Sequence, residues 1–279
     1  MRRTRIWHGI GSAVLVGSMG ASLTEPATAW AQAHGGGHMN MAQAGGEGGE
    51  GGEGGEGSGE AEEVVAADPN RAMTANLLMV RGHLRVGDEL VRAGKWSEAL
   101  PHFLHPVEEL YGLVRENLNE LDVAPFSDAL DVLSRTVKRQ GDLATYDQQR
   151  AAVLASIDHA MTAVPEKERQ GPAFISGAAV DVLNTAAEEY GEAFDDGQLA
   201  NPVEYQDSRG FVAEAAALLD ANRDTLTAAN GQRFASIMEQ LAQLETTWPA
   251  VEPPAQPVRS AGEVLALVSG IELEASGLR

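Results

Sequence analysis

The sequence predicts an all-α protein, a helical bundle of about seven to eight helices behind a signal peptide and a disordered Gly/Glu linker. Three observations predict it. Apolar residues recur at spacings of three and four through most of the chain after Asp68. Gly, Pro and Asn mark short connections between those stretches. No stretch shows strand-like alternation or a glycine-rich phosphate loop. The chain therefore divides into a leader over 1–33, a low-complexity Gly/Glu/His/Met linker over 34–67, and a helical bundle domain over 68–279.

The leader opens with basic MRRTR, continues through a mostly apolar run from Ile10 to Leu23, and reaches small-x-small sites at Ala29-Trp30-Ala31 and Ala31-Gln32-Ala33. This is the pattern of a cleaved secretory signal, so the mature protein is expected in the periplasm. Arg2-Arg3 lacks the fuller context of a twin-arginine signal, which favours the general secretory route. The run is too short and interrupted to span a bilayer, and no later stretch reaches about 18 apolar residues, so no membrane span is expected.

Residues 34–67 carry HGGGHMNMAQA and then GGE repeats. Such a segment cannot bury enough apolar surface to offset its ordering entropy, and it reads as a charge-extended linker. Its start offers a copper alternative. Cleavage after Ala31 would leave Gln32-Ala33-His34, whose free amine, two amides and imidazole suit square-planar copper(II), and His38, Met39 and Met41 follow with donors for copper(I). Cleavage after Ala33 removes the square-planar set, and a plain spacer is the simpler reading.

From Asp68 the helices follow in order. The first runs to about Ala93, with Met73, Leu77, Val80, Leu84 and Val91 on one stripe, His83 on the adjoining one, and Gly94 as its left-handed end. The next centres on Leu100–Leu118, where Leu100, Leu104, Val107, Tyr111, Val114 and Leu118 form the inner face. Its regular part is expected to begin near His105, with Pro106 in the first turn. Helices over Phe126–Gln140 and up to Val164 follow, then a loop PEKERQGP, then a helix from Ala173 to Asp195 closed by Gly197. Asn201-Pro202-Val203-Glu204 is a helix-start signature with a capping-box glutamate. Gln232–Thr246 forms another helix, PAVEPPAQP an extended tether, and Arg259–Glu274 the last helix.

Composition limits the chemistry. There is no cysteine, so disulfides, thiolate metal sites and cysteine nucleophiles are excluded. A net charge of −21 repels nucleic acid and favours cations. No nucleophile elbow, HExxH or cofactor fingerprint is present, and the chain is not expected to be an enzyme. What stands out is a group of imidazoles and carboxylates near buried helix faces. The first helix offers His83, the second His102, His105, Glu108 and Glu109, the helix after Ala173 Asp181 and Glu188, and the helix after Asn201 Glu204 and Asp207. Glu204 and Asp207 lie on the line that becomes apolar at Phe211. His83, His105, Glu108, Glu109, Glu204 and Asp207 are the candidate ligands of a cation held between helices. Donors without sulfur suit iron, zinc, manganese or copper(II). The alternatives are a capping role for Glu204 and an Asp207–Arg209 pair.

Thr185 to Val212 resembles the soluble helical region of bacterial high-affinity iron permeases. There an acidic helix ending in a Tyr-x-x-Ala-x-x-[Asp/Asn]-Gly turn precedes a Glu-Tyr-x-[Glu/Asp] helix. The matching positions here are Tyr190, Ala193, Asp196 and Gly197, then Glu204, Tyr205 and Asp207. His105-Pro106-Val107-Glu108 is similar to the His-x-x-Glu signature of imelysin-like periplasmic iron-uptake proteins, with Phe103 where a glycine usually stands. The resemblance implies a periplasmic bundle that binds or delivers a metal, with iron foremost and zinc or copper as alternatives, and an inner-membrane metal transporter as partner. The rival expectation is a structural adaptor bundle that docks onto another envelope protein.

Overall fold

Asp68 begins the first helix with its own side chain, whose Oδ1 accepts from the Arg71 N–H at 2.9 Å, and Pro69 takes the first helical position. The computed structural model describes residues 68–279. The leader, the linker and the copper alternative of His34, His38, Met39 and Met41 lie outside the described residues. Helix α1, Pro69–Arg92, buries Met73, Leu77, Leu84 and Leu90 and ends at Gly94, whose φ of 77° lets Lys95 donate back to the Leu90 carbonyl.

After one turn over Trp96–Ala99 (α2), helix α3 spans Pro101–His105 and runs without a break into a wide turn, Pro106–Leu110, and then α4, Tyr111–Glu120. The expected start near His105 is thus four residues late. Proline has no N–H, and its ring crowds the carbonyl four residues back. The chain absorbs this by widening one turn, closed by an i→i+5 bond from the Tyr111 N–H to the Pro106 carbonyl. The extra residue shifts the register. Before the turn His102, Phe103 and Pro106 are buried, and after it Leu110, Tyr111, Val114 and Leu118. Leu104 and Val107, on the expected inner face, are only half-buried, whereas Tyr111, Val114 and Leu118 are buried as expected.

Helix α5 covers Ser127–Lys138, and α6, Leu143–Ala163, is capped by Asp142, which accepts from the Thr145 N–H at 3.0 Å. The expected loop contains one helical turn, Glu166–Arg169 (α7), before α8, Pro172–Ala193. Phe194–Asp195 (β1) and Gln198–Leu199 (β2) form a small antiparallel hairpin in which Phe194 faces Leu199. Its turn needs positive φ at Asp196 and Gly197, 47° and 73°. Helix α9, Pro202–Ala221, follows. Helix α10, Arg223–Glu245, starts earlier than the periodicity suggests and kinks at Asn230. Helix α11, Ala261–Ala275, carries a complete Ser260/Glu263 capping box.

Helices α8 and α9 pack along most of their lengths, α1 lies against both, and α10 and α11 close the far side. This places the core between an N-terminal helical layer and a C-terminal four-helix group. Helix α1 crosses α9 with almost no space between backbones: a Cβ on Gly210 would stand 2.4 Å from the Gly82 carbonyl oxygen. Three buried rings anchor α8 and α9 to the segment before α11. Tyr190 donates to the Arg259 carbonyl at 2.8 Å, Tyr205 to that of Ala250 at 3.2 Å, and Trp248 Nε1 to Ser208 Oγ at 2.8 Å.

Candidate metal centre

The close crossing of α1 and α9 decides where the polar residues meet. His83 follows Gly82, and Asp207 stands one turn before Gly210 and Phe211, so both side chains enter the same narrow space. The His83 and Phe211 rings meet nearly at right angles, with centroids 5.0 Å apart. From the third side, α3 brings His102 and His105, whose spacing of three puts both on the face toward α9.

Asp207 is the centre of the arrangement and is 1% exposed. Its Oδ1 lies 2.6 Å from His83 Nδ1 and 2.7 Å from His102 Nδ1. The second His102 nitrogen, Nε2, lies 2.9 Å from Gln206 Oε1. His105 Nδ1 stands 3.3 Å from Asp207 Oδ2, at ion-pair range without hydrogen-bond alignment, so Oδ2 is buried with no hydrogen-bond partner. His83, His105 and Asp207 each offer a ligand atom within 4.8 Å of the other two.

These contacts set the charge state. Burial alone would keep Asp207 protonated, but the His83 and His102 rings outweigh it and hold the carboxyl well below its usual range. His83 goes the other way, because burial outweighs the attraction of Asp207 and lowers its pKa. Burial also acts to lower His105, yet the contact with Asp207 and the charges of Glu109 and Glu204 prevail and raise it to about 9. The ionised carboxylate is therefore balanced by a proton on His105.

The other expected ligands are placed unequally. Glu109 and Glu204 lie beside His105 and act on its charge, whereas Glu108 is exposed and takes no part in the cluster. Burial, with the charges of Asp207 and Glu204, raises the Glu109 pKa. Glu204 does not close a capping box at Asn201, which makes no side-chain cap and donates instead to the Glu192 carbonyl at 2.8 Å. Burial and the neighbouring carboxyl of Glu204 raise the pKa of Glu189. Asp181 is paired with Arg71 at 3.0 Å, and Glu188 is exposed. Arg209 pairs with Glu89 at 2.8 Å, leaving Asp207 to the imidazoles.

Sequence reasoning omitted three residues from the cluster, His102 as a central member, Gln206 and Glu189. His102 stands in the sequence beside His105 as an imidazole near a buried face, but nothing in its spacing shows that it reaches Asp207. Gln206 adjoins Asp207 and carries no metal-ligand chemistry that would single it out. Glu189 is one position, about 100° of helix, from Glu188.

The donor set fits a metal ion. Two imidazoles and one carboxylate with no sulfur suit a borderline first-row cation. A buried carboxylate oxygen without a hydrogen bond is also costly unless something else satisfies it. In the same region, the guanidiniums of Arg81 and Arg85 are committed to buried Glu214, at 3.2 and 2.7 Å, and do not reach Asp207.

No curated protein and no solved structure matches the chain. Residues 165–278 match the model of the iron permease-associated 4-helix bundle domain. The matched residues contribute Glu189, Glu204, Gln206 and Asp207, and the three histidines come from the helices before them. The C-terminal half of the bundle therefore resembles the helical domain associated with iron permeases.

Proposed function

We propose that the protein is an exported, non-catalytic metal carrier that binds an iron ion between α1, α3 and α9 and delivers it to an inner-membrane metal transporter. One observation carries the reading. Two imidazoles and a carboxylate from three separate helices converge within 4.8 Å, and one oxygen of that buried carboxylate has no hydrogen-bond partner. Two histidines with one carboxylate form the donor set of ferrous sites that keep open positions. Zinc and copper(II) accept the same donors, and iron is favoured by the match to the iron permease-associated domain.

Three protein ligands leave room in the coordination sphere. A carrier needs that, because a recipient must be able to replace ligands one at a time. Glu109 and Glu204 stand close enough to His105 to guide an arriving cation, and the net charge of −21 raises its local concentration. The proposed link to a transporter rests on the domain match. Among the described residues, no helix is long and apolar enough to cross a membrane.

Calorimetric titration of the chelator-treated protein with ferrous, zinc and cupric ions tests the reading. A single saturable ferrous site is expected in the wild type, lost in a His83→Ala, His105→Ala double variant that stays helical. Heats indistinguishable from buffer for all three ions would reject it and leave an adaptor bundle.

A further inference from the structure

His102 is the most deeply buried member of the cluster, with none of its surface exposed. Both ring nitrogens are already committed, Nδ1 to Asp207 at 2.7 Å and Nε2 to Gln206 at 2.9 Å. It lies outside the group of three whose ligand atoms converge. Its neighbour Phe103 fills the space over Gly87, where a Cβ would meet the ring at 2.5 Å, so the His102 backbone is held against α1. Gln206 and Asp207 are consecutive on α9, and one imidazole thus bridges both to α3.

We infer that His102 is a positioning residue: it clamps Asp207 through Oδ1, so that the carboxylate presents only Oδ2 to the metal, beside His105. Without the clamp Oδ1 keeps only the contact with His83 at 2.6 Å, from a residue that is itself a proposed ligand, so the carboxylate is held less firmly against turning about its last torsion. Residues that hold a ligand by hydrogen bonds fix its orientation and contribute to metal affinity without touching the ion. The inference rests on the metal-binding reading of His83, His105 and Asp207.

Cobalt(II), whose visible absorption reports coordination number and geometry, is the probe. Wild-type protein, His102→Ala, His102→Gln and Gln206→Met are titrated with cobalt(II), and helicity is measured alongside. His102→Ala is expected to stay helical, to bind roughly 10- to 100-fold more weakly, and to show an altered cobalt spectrum. His102→Gln, whose amide can still donate to Asp207, is expected to restore the wild-type spectrum. Gln206→Met, which frees only the far nitrogen, should give a smaller loss and supplies the readout if His102→Ala fails to fold. An unchanged spectrum and affinity in His102→Ala, or in Gln206→Met where the alanine variant does not fold, would overturn the positioning role. So would a cobalt spectrum showing that an imidazole has left the metal, since His102 would then be a ligand. A wild-type protein that binds no cobalt overturns the metal reading itself, and the positioning role with it.

Discussion

At the scale of single residues, Asp207 sets the chemistry of the site. A buried carboxylate with one oxygen held by two imidazoles and the other without a hydrogen bond depends strongly on its partners. Removing one partner of a buried charge pair costs about 3–5 kcal/mol, because the other is left uncompensated. Asp207→Ala is therefore expected to melt well below the wild type in thermal denaturation, and an unchanged melt would show that the imidazoles do not depend on it. The pH dependence follows from His105. Its pKa is raised from the ordinary 6.5 to about 9, so its contribution to stability is full below 6.5 and is lost as pH rises through 9. The proposed metal binding would have the opposite trend, since a cation must displace that proton. Affinity measured between pH 7 and 8 should rise by up to about tenfold. A flat profile would mean that His105 does not ligate.

Among the elements, the crossing of α1 with α9 and the widened turn after α3 position the donors. A methyl group at Gly210 would meet backbone rather than a movable side chain. Gly210→Ala should separate the two helices, cost about 1–3 kcal/mol, and weaken metal binding although it touches no ligand. Chemical denaturation and metal titration of the same variant check both effects, and loss of stability with intact binding would dissociate the crossing from the site. Much of this level was legible in the sequence. The Met73–Val91 periodicity, the Asp68 start and the Gly94 stop gave α1 nearly to the residue. His83, His105 and Asp207 could be singled out as polar groups near buried faces. The wide turn could not be read, because a proline five residues after another proline is compatible with either a restart or an i→i+5 turn. Before that turn His102, Phe103 and Pro106 are the buried residues, while Leu104 and Val107 of the expected inner face are half-buried. The capping alternative for Glu204 fails for a similar reason: a local pattern sets its spacing, but Asn201 makes no side-chain cap and Glu204 lies beside His105 and Glu189 instead.

For the whole molecule, the proposed ligands are drawn from helices far apart in sequence and exist as a set only in the folded bundle. On the proposed reading, metal binding and folding are then linked. At a free concentration a hundred times the dissociation constant, the ion should stabilise the fold by about 2.7 kcal/mol. For a domain of this size that corresponds to a rise of roughly 5–10 °C in Tm, reversed by chelator. The family match adds a second expectation at this scale. Residues 165–278 alone carry Asp207, Glu189 and Glu204 but none of the three histidines, so a chain lacking the N-terminal helices should lose high-affinity binding. The most direct test of a cation held between α1, α3 and α9 is the X-ray absorption spectrum of the iron-loaded protein. Scattering from two imidazoles and a carboxylate around one iron, with the imidazole signal halved in His83→Ala and again in His105→Ala, is the expected result; an iron environment without imidazole, or one untouched by both substitutions, would contradict it.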